Sequence, residues 1–150
     1  MYPAEKVDMP VDCEFPNVKM HPSLRNYQVP HRAGLSSGEF IKRARAAYSG
    51  MISCFDDSVG KLLDGLESQG TLDNTVVVFI SDHGNTMGEH GVFFKKGPYR
   101  GSIRVPVIIQ GPGIPAGRKG EEVVSLIDLF PTLQDLMGLT PDESVPDRLN

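Results

Sequence analysis

Apolar positions divide this chain into an aperiodic arm and a periodic core. Residues 1–38 are rich in proline and show little periodicity, which predicts a long irregular arm. From Phe40 the pattern changes. Phe40, Ile41, Ala44, Ala47, Tyr48, Met51, Ile52, Phe55, Val59, Leu62, Leu63 and Leu66 recur at three- and four-residue steps. This spacing predicts one long helix with an apolar stripe facing a core. Ser36 and Glu39 have the spacing of a capping box at its start, and Gly70 is placed to stop it. Cys54 falls in the stripe and reads as a buried core thiol.

Val76-Val77-Val78-Phe79-Ile80 is an unbroken apolar run. Alternation would mark a strand wet on one face. A continuous run predicts a strand covered on both, as in a parallel α/β sheet. A second run spans Val105–Ile109 and is interrupted by Pro106, which must sit at the strand's start or on an open side. A last helix is expected from Asp128, with Asp128 as its cap and Pro131 in its first turn. Leu129, Leu133, Leu136 and Met137 would face the core, and Gly138 would end it. The order helix, strand, loop, strand, helix predicts an α/β fold: a partial mixed or parallel sheet flanked by helices. Two or three strands make a poor sheet alone, so the chain reads as part of a larger domain. We divide it into an arm (1–38), an α/β core segment (39–138) and a tail (139–150).

Composition narrows the function. The chain has 150 residues, 39% of them hydrophobic and 23% charged, and a formal net charge of -4. That acidic balance gives no footprint for nucleic acid. No apolar run reaches membrane-spanning length. Cys13 and Cys54 are too few for a disulfide framework, and their spacing fits no zinc pattern. His21 and His31 read as surface loop histidines.

The chemistry centres on Ser81-Asp82-His83-Gly84, directly after the buried strand. Ligands gather at the carboxyl ends of strands in open α/β sheets. Asp82 suits a hard cation, and His83 widens the choice toward transition metals. Gly84 is expected to let the chain turn sharply, so that both side chains face one point.

The continuation makes the motif specific. It runs Gly88-Glu89-His90-Gly91, Lys95, Pro98-Tyr99 and Ile103-Arg104-Val105-Pro106. With the helix before and Leu126–Leu133 after, this run resembles the sulfatase family of the alkaline-phosphatase-like superfamily. It is particularly similar to choline-sulfatase-like and iduronate-sulfatase-like members. The resemblance covers about residues 40–138.

The resemblance implies a fold and a set of roles. The fold is alkaline-phosphatase-like with its N-terminal half absent. Asp82 and His83 match two ligands of a divalent cation, usually Ca2+. Lys95 matches a lysine that contacts the sulfate and neutralises charge on the transferring group. His90 is a substrate contact or a hydrogen-bonding residue within the loop. Tyr99 and Arg104 are expected to fix the loop against the sheet. The implied substrate is a sulfated small molecule or glycan, and a missing N-terminal half is the implied partner.

The family's nucleophile is a formylglycine, made from Cys or Ser in a Cys/Ser-x-Pro/Ala-x-Arg motif. Cys13 has Asn17 where Arg is needed, and Cys54 precedes Phe55-Asp56-Asp57-Ser58. The serines are expected to fail as well. The motif and the remaining metal ligands are therefore expected upstream, and the 150-residue chain alone is expected to be inactive. Two other readings stand beside a partial sulfatase: part of a phosphodiesterase or phosphonate hydrolase of the same superfamily, and a non-catalytic α/β module.

Overall fold

The computed structural model describes residues 2–11, Pro22 and 37–139. Cys13, His21, His31, Ser36 and the tail beyond Leu139 lie outside the described residues.

One long helix, α1 (Gly38–Ser68), organises the chain. Its N-cap is Ser37, whose hydroxyl accepts from the Phe40 N–H at 3.1 Å. The cap therefore sits one residue after the Ser36 that the spacing suggested. Gly70 follows at φ 66, the left-handed conformation that closes a helix at low cost. The N-terminal segment packs along α1, with a Tyr2 to Ser53 hydroxyl hydrogen bond of 2.8 Å.

After α1 come β1 (Val77–Ile80), β2 (Thr86–Met87), β3 (Phe93–Phe94), a short helix α2 (Arg100–Ile103), β4 (Val107–Gln110) and α3 (Leu129–Leu136). β1 pairs with β4, and the ladder is antiparallel, with Val77 opposite Gln110 and Ile80 opposite Val107. The expectation was a mixed or parallel sheet with this strand covered on both faces; the pair is antiparallel, Val77–Ile80 are only half-buried, and Val107 and Ile108 are exposed. A continuous apolar run fixes neither the direction of the neighbouring strand nor what covers it among the described residues. Pro106 lies immediately before β4, where its missing N–H breaks no ladder bond. β2 and β3 form a second antiparallel pair, Thr86 opposite Phe94 and Met87 opposite Phe93.

The buried cluster lies beside the loop that follows β1, not at the β1–β4 ladder. Ile41 and Phe93 are its buried members, with Met9, Phe40, Ala44 and Met87 packed against them. The Phe40 and Phe93 rings meet edge to face, 5.9 Å between centroids. Val92 and Thr86 are fully buried. The start of α1 thus serves as the floor of the β2–β3 hairpin.

The far half of α1 behaves differently. Met51, Ile52, Phe55 and Leu62 are exposed, although the periodicity placed them toward a core. Cys54 is exposed too, which corrects its reading as a buried thiol. The stripe is real, but the described segments cover it only in part: the Phe79 ring of β1 meets Phe55, 5.9 Å between centroids, and leaves most of that ring exposed. α3 shows the same departure, with Leu129, Leu133 and Leu136 half-buried and Met137 exposed. Its entry is capped by Ser125 rather than by Asp128. Asp128 takes the reciprocal place of the capping box and accepts from the Ser125 N–H at 2.8 Å. Pro131 falls in the first turn, and Gly138 at φ 65 ends the helix.

Candidate functional site

The loop from Ser81 to Lys95 is held by its own hydrogen bonds and by α2. The Ser81 hydroxyl donates to the His83 carbonyl at 2.7 Å. The Gly84 N–H donates to the Ser102 carbonyl of α2 at 2.8 Å. Gly84 does not have a positive φ, so the sharp-turn role expected of it is wrong. Its lack of a side chain matters for another reason. A Cβ there would overlap the Gly101 carbonyl oxygen and lie 3.1 Å from its carbon. Glycine is required at 84 because α2 presses against the loop backbone.

Asp82 and His83 point their acceptors at one place. Asp82 Oδ1 takes the His83 backbone N–H at 2.9 Å. His83 Nδ1 lies 2.9 Å from the Gly84 carbonyl oxygen, which can only accept, so Nδ1 carries a proton. In the neutral ring, Nε2 then holds the lone pair. It sits 3.4 Å from Asp82 Oδ2, long for a hydrogen bond. Two lone-pair donors facing each other across 3.4 Å, one on a ring whose other nitrogen is anchored to a backbone carbonyl, fit two ligands of a cation. The Asp82 side chain is 81% exposed and open to such an ion. Among the described residues no group of three or more His, Cys, Asp or Glu side chains gathers to complete a shell.

Lys95 follows directly on Phe94, whose φ of 72 is a strained value for a bulky residue. The buried Thr86 hydroxyl fixes that backbone by donating to the Phe94 carbonyl at 2.7 Å. Lys95 is exposed, and its amine makes no hydrogen bond or ion pair among the described residues. Lys96 is half-buried and engaged.

His90 also has a positive φ, 52, between Gly88 at 99 and Gly91 at 66. Its ring stacks on Tyr99, 4.5 Å between centroids at 19°. Both rings line a cleft of about 410 Å³ with Asn85, Thr86, Glu89, Arg100, Gly101 and Arg104. Asp82, His83 and Lys95 are not part of that lining. Tyr99 was expected to fix the loop against the sheet; its ring instead stacks on His90 of the loop. The Arg104 guanidinium, expected to fix it too, has no partner among the described residues.

One residue of the site escaped the sequence reading. Arg45 of α1 reaches Glu89 Oε1 at 2.8 Å, and both side chains are largely shielded, 27% and 34% exposed. Glu89 Oε2 accepts from the Met87 N–H. Burial pushes the Glu89 carboxyl up, but the Met87 and Glu89 N–H groups and the Arg45 guanidinium outweigh it. The net result is a pKa below the ordinary 4.5. Arg45 belongs to none of the motifs that the sequence singled out. Its position one turn from Ile41, which sits under the hairpin, was the available signal.

The sequence itself holds one further correction. Ser144-Val145-Pro146-Asp147-Arg148 has the Ser-x-Pro-x-Arg spacing, so the serines do not all fail. It lies outside the described residues. It also lies downstream of the Asp82 turn, whereas the family pattern puts the motif upstream.

Comparison with known proteins identifies the family. The sulfatase family model matches residues 8–139. An arylsulfatase of Clostridium perfringens is 38% identical over 149 residues, covering 97% of this chain and 31% of that protein. A choline-sulfatase of Rhizobium meliloti is 44% identical over 108 residues, covering 72% of this chain and 21% of that protein. The crystal structure of a phosphonate monoester hydrolase of Agrobacterium radiobacter superposes with a TM-score of 0.67 at 41% identity, over 70% of this chain and 21% of that one. The chain thus spans a fifth to a third of the length of these relatives, and its helices and small sheets are part of their alkaline-phosphatase-like α/β fold. On the family match and these identities, the chain belongs to the sulfatase family.

Proposed function

We propose that this chain contributes the Asp82–His83 metal turn and Lys95 to an enzyme that hydrolyses sulfate esters of a small molecule or glycan. The carrying observation is the convergence of Asp82 Oδ2 and His83 Nε2 at 3.4 Å, with Nδ1 anchored to the Gly84 carbonyl. These two groups would hold a divalent cation, Ca2+ by the family pattern. When bound, such a cation polarises a sulfate oxygen. Lys95, presented by the constrained Phe94 backbone, places a mobile positive charge against the transferring group. The β2–β3 hairpin and α2 keep the loop from relaxing away from that geometry.

Two ligands do not close a calcium shell, which wants about six or more oxygens. The remaining ligands and a formylglycine nucleophile are assigned to sulfatase-family sequence outside these 150 residues. We give Ser144 no role, because a pattern fixed at three positions recurs by chance.

A second reading has a specific observation in its favour. The 41% identity to a phosphonate monoester hydrolase leaves phosphonate or phosphate diesters as substrates of the same turn. The test mixes this chain with an N-terminal sulfatase-family segment carrying a Cys-x-Pro-x-Arg motif converted to formylglycine. Hydrolysis of 4-nitrophenyl sulfate that requires both components and is lost in Asp82→Asn is expected. Preferential hydrolysis of 4-nitrophenyl phenylphosphonate favours the second reading. A mixture inert toward both substrates contradicts the enzyme reading.

A further inference from the structure

The cleft beside the metal turn carries a charge that the proposed chemistry does not use. Arg100 and Arg104 line it one helical turn apart, on α2 and at its C-terminal edge. Neither guanidinium has a hydrogen-bond or ion-pair partner among the described residues. The one acidic group in the lining, Glu89, is already matched by Arg45 at 2.8 Å. Among the described residues, the cleft is therefore left with two uncompensated positive charges. Its wall is the stacked His90–Tyr99 pair, an aromatic face suited to a flat ring or a sugar face. The volume of about 410 Å³ fits a substituent of small-molecule size.

We propose that this cleft is a second anion subsite, which seats a sulfate, sulfonate or carboxylate carried on the ring of the substrate's leaving group. The word substrate rests on the sulfate-ester reading above. The affinity of the cleft for a ring-borne anion does not, because Asp82, His83 and Lys95 are outside its lining. The planar fork of Arg suits such an anion. The ring would pack against Tyr99 and His90, the latter held by the positive-φ turn and the two by each other. α2 is fixed in turn by the Gly84 to Ser102 hydrogen bond, so the subsite and the metal turn keep a set separation.

The test titrates the full chain, without metal, with benzenesulfonate and with inorganic sulfate. It follows Arg Nε–H and backbone signals by NMR. Benzenesulfonate is expected to bind more tightly than sulfate, with shifts centred on Tyr99, Arg100 and Arg104. Arg100→Gln is expected to weaken it about tenfold, as loss of a charge-assisted hydrogen bond does. Lys61→Gln, on an exposed and distant stretch of α1, keeps wild-type affinity. Wild-type affinity in Arg100→Gln, or shifts centred elsewhere, overturns the subsite. The wild-type shift map stands by itself if a variant folds poorly. Failure of the hydrolysis assay bears on the sulfate-ester reading alone.

Discussion

Replacing Gly84 by alanine tests whether the Asp82-His83 turn is held by contact with α2. The added Cβ would overlap the Gly101 carbonyl oxygen and lie 3.1 Å from the Gly101 carbonyl carbon and 3.5 Å from the Arg104 oxygen. Neither neighbour is a flexible side-chain end. Both are backbone, so the loop and α2 must separate by on the order of 1 Å to restore ordinary carbon–oxygen contact. That movement breaks the 2.8 Å bond from the Gly84 N–H to the Ser102 carbonyl. Overpacking costs about 1–3 kcal/mol and the lost hydrogen bond about 1 kcal/mol. The sum, roughly 2–4 kcal/mol, is a large share of the stability of an ordinary domain. Urea or thermal unfolding followed by circular dichroism measures it, and a midpoint lowered by about 10 °C or more is expected. Gly65→Ala is the matched control. It lies in α1 with nothing within 4 Å of the new Cβ, and should gain roughly 0.5–1 kcal/mol. A Gly84→Ala chain as stable as the wild type would refute the close-approach argument.

Three other outcomes follow from the same geometry. Glu89→Gln should cost about 1–2 kcal/mol, since it removes the partly buried charge held by Arg45 and the Met87 N–H. The folded pKa of Glu89 lies below 4.5, so its contribution is full above 4.5 and is lost as pH falls through the depressed value. Acid unfolding curves of wild type and Glu89→Gln should therefore converge at low pH, and parallel curves would contradict the pairing. Cys54 should react with a thiol reagent at the rate of an exposed cysteine before denaturant is added, whereas protection until unfolding would show a covered stripe. Mass spectrometry of the tail peptide should find Ser144 unmodified, and a dehydrogenated Ser144 would bring the downstream motif back as a nucleophile.

The family and the candidate site were legible because they rest on local chemistry. An apolar strand followed by Asp82-His83-Gly84, with Lys95 and Pro98-Tyr99 beyond, is written in consecutive residues. The helices were legible for the same reason, through three- and four-residue spacing and the glycines that end them. What was not legible depended on partners distant in sequence. Val77–Ile80 reads the same beside a parallel or an antiparallel neighbour, so only the structure gave the pairing with Val107–Gln110. Periodicity placed Met51, Ile52 and Phe55 on one stripe but did not say what covers it. Gly84 was rightly singled out for the wrong physical reason, since its contact is with Gly101 and no local rule reveals that. Arg45 was hidden because Glu89 is 44 positions away.

The central claim is that Asp82 and His83 form one side of a cation site. Paramagnetic broadening by Mn2+, a hard cation that takes carboxylate and imidazole ligands, tests it even where binding is weak. Titration of the labelled chain should broaden the signals of Asp82, His83 and Gly84 first, and Asp82→Asn should abolish the effect at those residues. Broadening centred on another acidic segment, such as Glu121-Glu122, or unchanged in Asp82→Asn, would contradict the account.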